Sequence, residues 1–193
     1  MKIIAGAQTD YIGVMRIDGT AVHFRSAHDA LLAGVGMVHQ ELSIAPKLTV
    51  AENMFLGRQP TSVLGFVDWG RMAREAEAHL EHLGIRVDPR ARIGSLPLGL
   101  QQLVELGRVL FSGARILILD KPTSALSPPE TEALFGVLKR LRERGASIVF
   151  ISHFLDDVKA IADRLTIIRN GRTVAVAKAS DVDKGWIISN MPF

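Results

Sequence analysis

Three short apolar runs stand apart along the chain: Val35–Val38, Ile116–Leu119 and Ile148–Ile151. Their apolar residues are continuous, not alternating, the pattern of strands covered on both faces in a parallel sheet. Between the last two runs, residues 129–144 place Leu134, Leu138 and Leu141 on one helical stripe. Ser127 and Glu130 have the spacing of a capping box, Pro128 suits a first turn, and Gly145 can end the helix. Strand, helix, strand on this scale predicts a βαβ unit.

The flanks of the chain read as antiparallel. Residues 13–24 predict a hairpin turning at Asp18-Gly19, and residues 165–176 another turning at Asn170-Gly171. Both dipeptides suit a type I′ turn. From Gln40 to Ser95 the pattern changes, with no continuous strand run. Thr49 and Glu52 form a capping-box start, and residues 68–83 put Met72, Ala76, Leu80 and Leu83 on one helical face closed by Gly84. The expectation is an α/β protein with a mostly parallel sheet, antiparallel edge hairpins and an inserted α-helical lobe over 41–112, all in one domain spanning 1–193.

Composition narrows the class. The 193 residues are 48% hydrophobic and 22% charged, ordinary for a globular chain, and contain no cysteine, which excludes disulfide and thiolate chemistry. No apolar run reaches the ~18 residues that a membrane helix needs, and the first residues lack the pattern of a signal peptide. Net charge is +3, and the densest basic cluster is K-R-L-R-E-R at 139–144. At a helix C-terminus such a cluster reads as a solvated face favoured by the dipole, so no nucleic-acid partner is expected. His79 and His82, with Glu77 and Glu81 nearby, share a helix face. A solvated face accounts for them better than a metal site, which would need a third ligand.

Three polar residues occupy strand ends, where open α/β sheets bind ligands: Gln40, Asp120 and His153. Gln could hold a water or metal, Asp a Mg²⁺ ion and His a phosphate oxygen. These residues and their surroundings resemble the ATP-binding subunit of an ABC transporter. V-H-Q-E-L resembles the Q-loop segment with Gln40 as its glutamine, and S-L-P-L-G-L-Q-Q-L-V-E (95–105) resembles the signature segment. I-L-I-L-D is similar to Walker B, S-A-L-S (124–127) to the D-loop, and I-S-H to the switch histidine. H-Q-E-L-S-I-A-P-K-L-T-V-A-E-N-M-F-L-G-R is similar to bacterial importers of ribose, xylose and galactose, which carry two ATP-binding halves, and the chain resembles the first.

The resemblance implies a P-loop-NTPase-like (RecA-like) fold, N-terminally incomplete, whose ATPase drives monosaccharide import. It implies ATP and Mg²⁺, the metal at Gln40 and Asp120, with Gln40, Leu96, Pro97, Gly99, Gln101, Gln102, Asp120 and Ser124 around the nucleotide and His153 and position 121 in catalysis. Implied partners are transmembrane permease subunits, a second ATP-binding half and, indirectly, a periplasmic sugar-binding protein. The implied location is the cytoplasmic face of the inner membrane, peripherally bound.

The residues depart from the family pattern at three places. No G-K-S or G-K-T occurs, so the Walker A loop that would cradle the phosphates is missing, and M-K-I-I-A-G resembles the helix that follows that loop. The strand before that loop would be missing too, which implies a marginally stable chain with an exposed strand edge. Lys121 stands where the family has a glutamate that polarises water, and an ammonium has no lone pair to accept a proton. Pro97 stands where the signature serine would donate to a phosphate, and proline has neither hydroxyl nor N–H. Removing one preorganised group commonly costs ~10²–10³ in rate, so these residues alone are expected to be deficient in binding and hydrolysis. A degenerate half that pairs with an intact partner, and a non-enzymatic interaction module, are the alternatives.

Overall fold

A computed structural model describes residues 1–191. The chain forms two compact units, Met1–Val149 and Phe150–Phe193, with the boundary inside a strand. The first unit opens with one helical turn that ends in a Schellman pair: Gly6 N–H donates to Ile3 O at 3.0 Å and Ala7 N–H to Lys2 O at 2.9 Å. Gly6 has φ 69°, and a Cβ there would lie 2.3 Å from Ser26 O, so both backbone and space require glycine.

Strands β1 (Met15–Ile17) and β2 (Thr20–Val22) form the expected hairpin, each only three residues long. Asp18 and Gly19 both have positive φ, 49° and 79°, the signature of the I′ turn. Helix α1 (Ala27–Leu32) follows, capped by the Ser26 hydroxyl, and leads into β3 (Val35–Val38). Helices α2 (Val50–Met54), α3 (Trp69–His82) and α4 (Leu98–Phe111) fill the middle of the chain. Then come β4 (Ile116–Asp120), α5 (Pro128–Glu143) and β5 (Ser147–Ile151). The sheet order is β3-β4-β5, and β3 pairs with β4 in parallel.

The three apolar runs are these three strands, and β4 is covered as its pattern requires: Leu117, Ile118 and Leu119 are fully buried. Helix α5 buries Leu134, Leu138 and Leu141, and also Val137. Helix α3 buries Met72, Ala76 and Leu80 and is capped by Asp68, which accepts from Arg71 N at 2.8 Å. The Thr49–Glu52 capping box forms at α2, with Glu52 accepting from Thr49 N at 2.7 Å. Helix α4 touches α2, α3, α5 and β3. It lies so close to the sheet that a Cβ on Gly36 of β3 would sit 2.2 Å from Val109 Cγ1.

The basic side chains of the 139–144 cluster are exposed, as expected, and two of them also reach another helix. Arg140 Nη2 donates to Leu83 O at 2.9 Å and Arg144 Nη1 to His82 O at 3.3 Å. These members of the basic cluster thus satisfy carbonyls at the C-terminus of α3, where the helix leaves acceptors free. The H-x-x-H pair divides. His82 is exposed, but His79 is turned onto α4, with Nε2 3.1 Å from Gly107 O and its ring 5.0 Å from that of Phe111. His79 is therefore half-buried against α4, and burial holds its pKa below the usual value. Among the described residues no group of three His, Asp or Glu side chains could hold a metal ion.

The second unit contains α6 (Leu155–Ile161), β6 (Arg164–Arg169), β7 (Arg172–Lys178) and α7 (Lys184–Asn190). β6 and β7 are the expected second hairpin, with a register shift between Ile167 and Ile168 and positive φ at Asn170 and Gly171. Leu165, Ile167, Ala179 and Ile187 form its core, flanked by Leu155, Val158 and Trp186. Lys159 Nζ donates to the carbonyls of Ala179 and Val182. Among the described residues no helix is long and apolar enough to cross a membrane.

Candidate functional site

In the β3–β4 pair, Val38 lies opposite Leu119. Gln40, two residues past Val38, and Asp120, one past Leu119, therefore leave the sheet at the same carboxyl-terminal edge. Asp120 is half-buried as the last residue of β4, and Gln40 is exposed in the loop. Lys121 follows, exposed, with φ 47°. A left-handed conformation costs a residue with a Cβ roughly 1–2 kcal/mol, so the turn after β4 imposes this geometry on whatever side chain stands there. Two successive turns carry the chain away: Ser124 N–H donates to Lys121 O at 3.3 Å and Leu126 N–H to Thr123 O at 3.2 Å. Ser124 is exposed on the first of them.

The 95–105 segment is fastened to that loop. Gln102 is buried, and its Nε2 donates to Pro122 O at 2.6 Å. Gln101 Nε2 donates to Leu96 O at 2.8 Å and folds the entry to α4 back on itself. Pro97 is the N-cap of α4, with φ −52° and ψ 147° and no side-chain cap bond. A serine there would offer its oxygen to the first-turn N–H groups. Pro97 cannot, and Glu130 of α5 supplies the acceptor: Gly99 N–H donates to Glu130 Oε1 at 2.8 Å. The other carboxylate oxygen accepts from Ser127 N at 2.9 Å and Ser127 Oγ at 2.7 Å. One carboxylate thereby caps two helices. The Ser127 hydroxyl, then the Ser127 and Gly99 N–H groups, hold its pKa below the usual value. Gly99 is glycine for a visible reason, since a Cβ would lie 2.6 Å from Glu130 Cγ.

Gln40, Asp120, Lys121, Ser124 and the 96–102 segment thus belong to one unit, with the last fastened to the loop after Asp120. His153 belongs to the second unit, where it is exposed with its ring 4.2 Å from that of Phe154. Asp120 and Gln40 offer a carboxylate and an amide oxygen, the hard donors Mg²⁺ takes when phosphates complete its shell. For a triphosphate these residues supply an edge, but the sequence holds no G-K-S or G-K-T cradle.

Two buried polar residues of the quoted segments hold the backbone of this region. Asn53 is 1% exposed and pins Ala45 in both directions, accepting from its N–H at 2.8 Å and donating to its carbonyl at 3.1 Å. Glu105, also 1% exposed, accepts from Ser43 N at 3.1 Å. The available signal for Glu105 was a carboxylate set among Leu103, Val104 and Leu106 of an otherwise apolar helix.

The sequence profile described as ABC transporter matches residues 1–124. The chain belongs to the ABC transporter family. A ribose import ATP-binding protein RbsA 2 of Burkholderia ambifaria is 43% identical over 191 residues, covering 99% of this chain and 38% of its own length. A ribose import ATP-binding protein RbsA 1 of Rubrobacter xylanophilus is 46% identical over 179 residues, covering 93% of this chain and 36% of its own length. The chain therefore spans well under half the length of these relatives. A nucleotide-free ATP-binding cassette from an ABC transporter superposes with TM-score 0.79 at 23% identity, over 92% of this chain and 74% of that one. A second cassette, solved in its ADP conformation, superposes with TM-score 0.82 at 20% identity, over 98% and 80%. These likenesses give the fold: the α/β architecture of an ABC cassette, with a parallel sheet and antiparallel hairpins.

Proposed function

We propose that these residues are part of the first ATP-binding half of a monosaccharide importer, and that as they stand they do not sustain ATP hydrolysis. The observation that supports the reading most is the parallel β3–β4 register, which brings Gln40 and Asp120 to one sheet edge beside a fastened 96–102 segment. In this reading Asp120 and Gln40 hold Mg²⁺. Ser124 and the Leu96, Pro97, Gly99, Gln101 and Gln102 segment face nucleotide, and His153 meets a phosphate oxygen. Lys121 occupies the water-activating position without a lone pair to accept the proton. Residues 41–112 form a helical lobe that engages transmembrane permease subunits at the cytoplasmic face of the membrane. A second ATP-binding half and, through the permease, a periplasmic sugar-binding protein complete the assembly. The relatives named for ribose import support the substrate class.

A second reading has this half completing the site of an intact partner. The regular start of α4 favours it, because Gly99, Gln101 and Gln102 keep their contacts despite Pro97. Calorimetric titration of the 193-residue chain with ATP and Mg²⁺ tests the first reading. Binding too weak to titrate is expected, and micromolar Mg²⁺-dependent binding refutes it. Co-purification with permease subunits, absent for an unrelated α/β protein, tests the importer assignment.

A further inference from the structure

The chain leaving β3 has no regular structure of its own between His39 and Leu48. Such a segment holds its shape only through side chains that satisfy its backbone, since a buried N–H without a partner is costly. Asn53 does this at Ala45 from α2, a helix of the same stretch of chain. The other anchor is remote. Glu105 lies in the second turn of α4, 62 residues away in sequence, and its Oε1 accepts from Ser43 N at 3.1 Å. Arg108 Nη2 of the same helix lies 3.5 Å from that oxygen, too long for a tight pair. Oε2 is buried and, among the described residues, has no hydrogen-bond partner.

A carboxylate at this place is an expense that packing does not explain, because an apolar side chain of equal size would fill the volume without desolvating a charge. Among the described residues Ser43 N–H, at 3.1 Å, is its closest donor, and that donor lies three residues past Gln40. Helix α4 starts at the 96–99 segment and is fastened at Gln102 to the loop after Asp120.

We propose that Glu105 is a positioning residue that couples the Gln40 loop to α4, so that a movement of the helix start is passed to Gln40 through the Ser43 N–H. The coupling is a property of the fold, and its bearing on Mg²⁺-ATP rests on the reading given above. Glu105 touches no reacting atom in that reading. It fixes the path of the backbone on which Gln40 is carried, and α4 is the element it fixes that path against.

Backbone amide hydrogen exchange on the 193-residue chain tests this without nucleotide, so its failure is separable from failure of the transporter assignment. Glu105→Met keeps the side-chain length and removes both the acceptor and the buried charge, so the fold is retained. Exchange at residues 41–45 is expected to accelerate about 10-fold, the loss of one charge-assisted bond, while β3 and β4 keep their protection. Glu105→Gln, whose amide oxygen still accepts from Ser43, is expected to restore protection to within about threefold of the parent. The proposal is overturned if Glu105→Met leaves 41–45 unchanged, or if the sheet loses protection in equal measure. A Gln variant that behaves like Met overturns it too, because the carboxylate would then act by charge and not as the acceptor for Ser43.

Discussion

Gly36 is the point at which the helical middle of the chain bears on the sheet, and Gly36→Ala measures how tightly. A Cβ there would lie 2.2 Å from Val109 Cγ1 and 2.8 Å from Ala114 Cβ. Carbon atoms rest at about 3.5–4.0 Å, so the Val109 contact falls short by roughly 1.5 Å. Val109 is β-branched on a helix and has one strongly preferred rotamer, so the shortfall must be met by moving α4 away from β3. Overpacking of this kind costs about 1–3 kcal/mol. With about 2–4 °C per kcal/mol for a chain of this size, a midpoint value of about 2 kcal/mol lowers the melting temperature by about 4–8 °C. Val109→Ala alone removes two half-buried methyl groups, worth about 1 kcal/mol together. In the double variant the clash with Val109 disappears and the contact with Ala114 remains. Its loss should be about 1–1.5 kcal/mol, well below the roughly 3 kcal/mol of a simple sum. Urea unfolding of the parent, both single variants and the double variant, followed by far-ultraviolet circular dichroism, gives the cycle. A Gly36→Ala variant within about 0.5 kcal/mol of the parent, or a cycle additive within that margin, would refute the claim that α4 is seated on β3 without slack.

Burial raises the pKa of Glu105 against smaller opposing effects of the Ser43 N–H, Arg108 and His39. A carboxyl that binds its proton more tightly when folded stabilises fully below its unfolded value near 4.5, and that contribution is lost as pH rises through the folded value. Glu105→Gln should therefore flatten the decline of stability above that pH in urea midpoints, and an unchanged profile would contradict the burial argument. His79 has the opposite sense: burial lowers its pKa, so the stability it contributes is present above 6.5 and is lost as pH falls through the folded value. His79→Gln should flatten the acid limb, and a limb as steep as the parent's would count against His79 as its source. Lys121→Gly removes the strain of φ 47°. Unfolding in urea should find it neutral or more stable by up to about 1 kcal/mol, whereas a clear loss would mean that the lysine side chain contributes a contact.

Much of the frame was legible because it depends on residues near each other in sequence. Asp18-Gly19 and Asn170-Gly171 specify their turns by backbone preference alone. Thr49 with Glu52 specifies a helix start, and the Leu134, Leu138 and Leu141 stripe specifies a buried face. Helices α1, α6 and α7 were not legible. They are six or seven residues long, too short to complete the periodic stripe that marks a helix, and they persist through tertiary packing. At the site, the motif residues were legible by resemblance, but what holds them was not. Glu130 reads from sequence as a cap for its own helix, and its bond to Gly99 spans 31 residues. Glu105 and Ser43 are 62 apart. Arg140 and Arg144 are exposed as their pattern reads, but their bonds to Leu83 and His82 on another helix could not be read from it. Each of these is a polar pairing across elements, which no local pattern encodes.

The two departures at positions 97 and 121 fall where shape and chemistry can be separated. Pro97 takes φ −52°, close to the value its ring imposes, at a position that precedes the helical N–H ladder. Its missing N–H breaks no helical bond, and Glu130 caps Gly99 from outside. Lys121 sits in a left-handed turn held by the Ser124 N–H and by the Gln102 bond to Pro122, both of which use backbone carbonyls and not the side chain at 121. Neither residue removes a bond that shapes the sheet edge, so the edge can keep the form of an ABC cassette without the hydroxyl and the carboxylate that the proposed reading would place there. Under the proposed reading this explains how a chain deficient in hydrolysis keeps so close a likeness to its relatives. In that reading the constraints on the backbone at 97 and 121 come from neighbours that are still present, and those on the side chains would come from a phosphate chemistry that Pro97 and Lys121 do not supply.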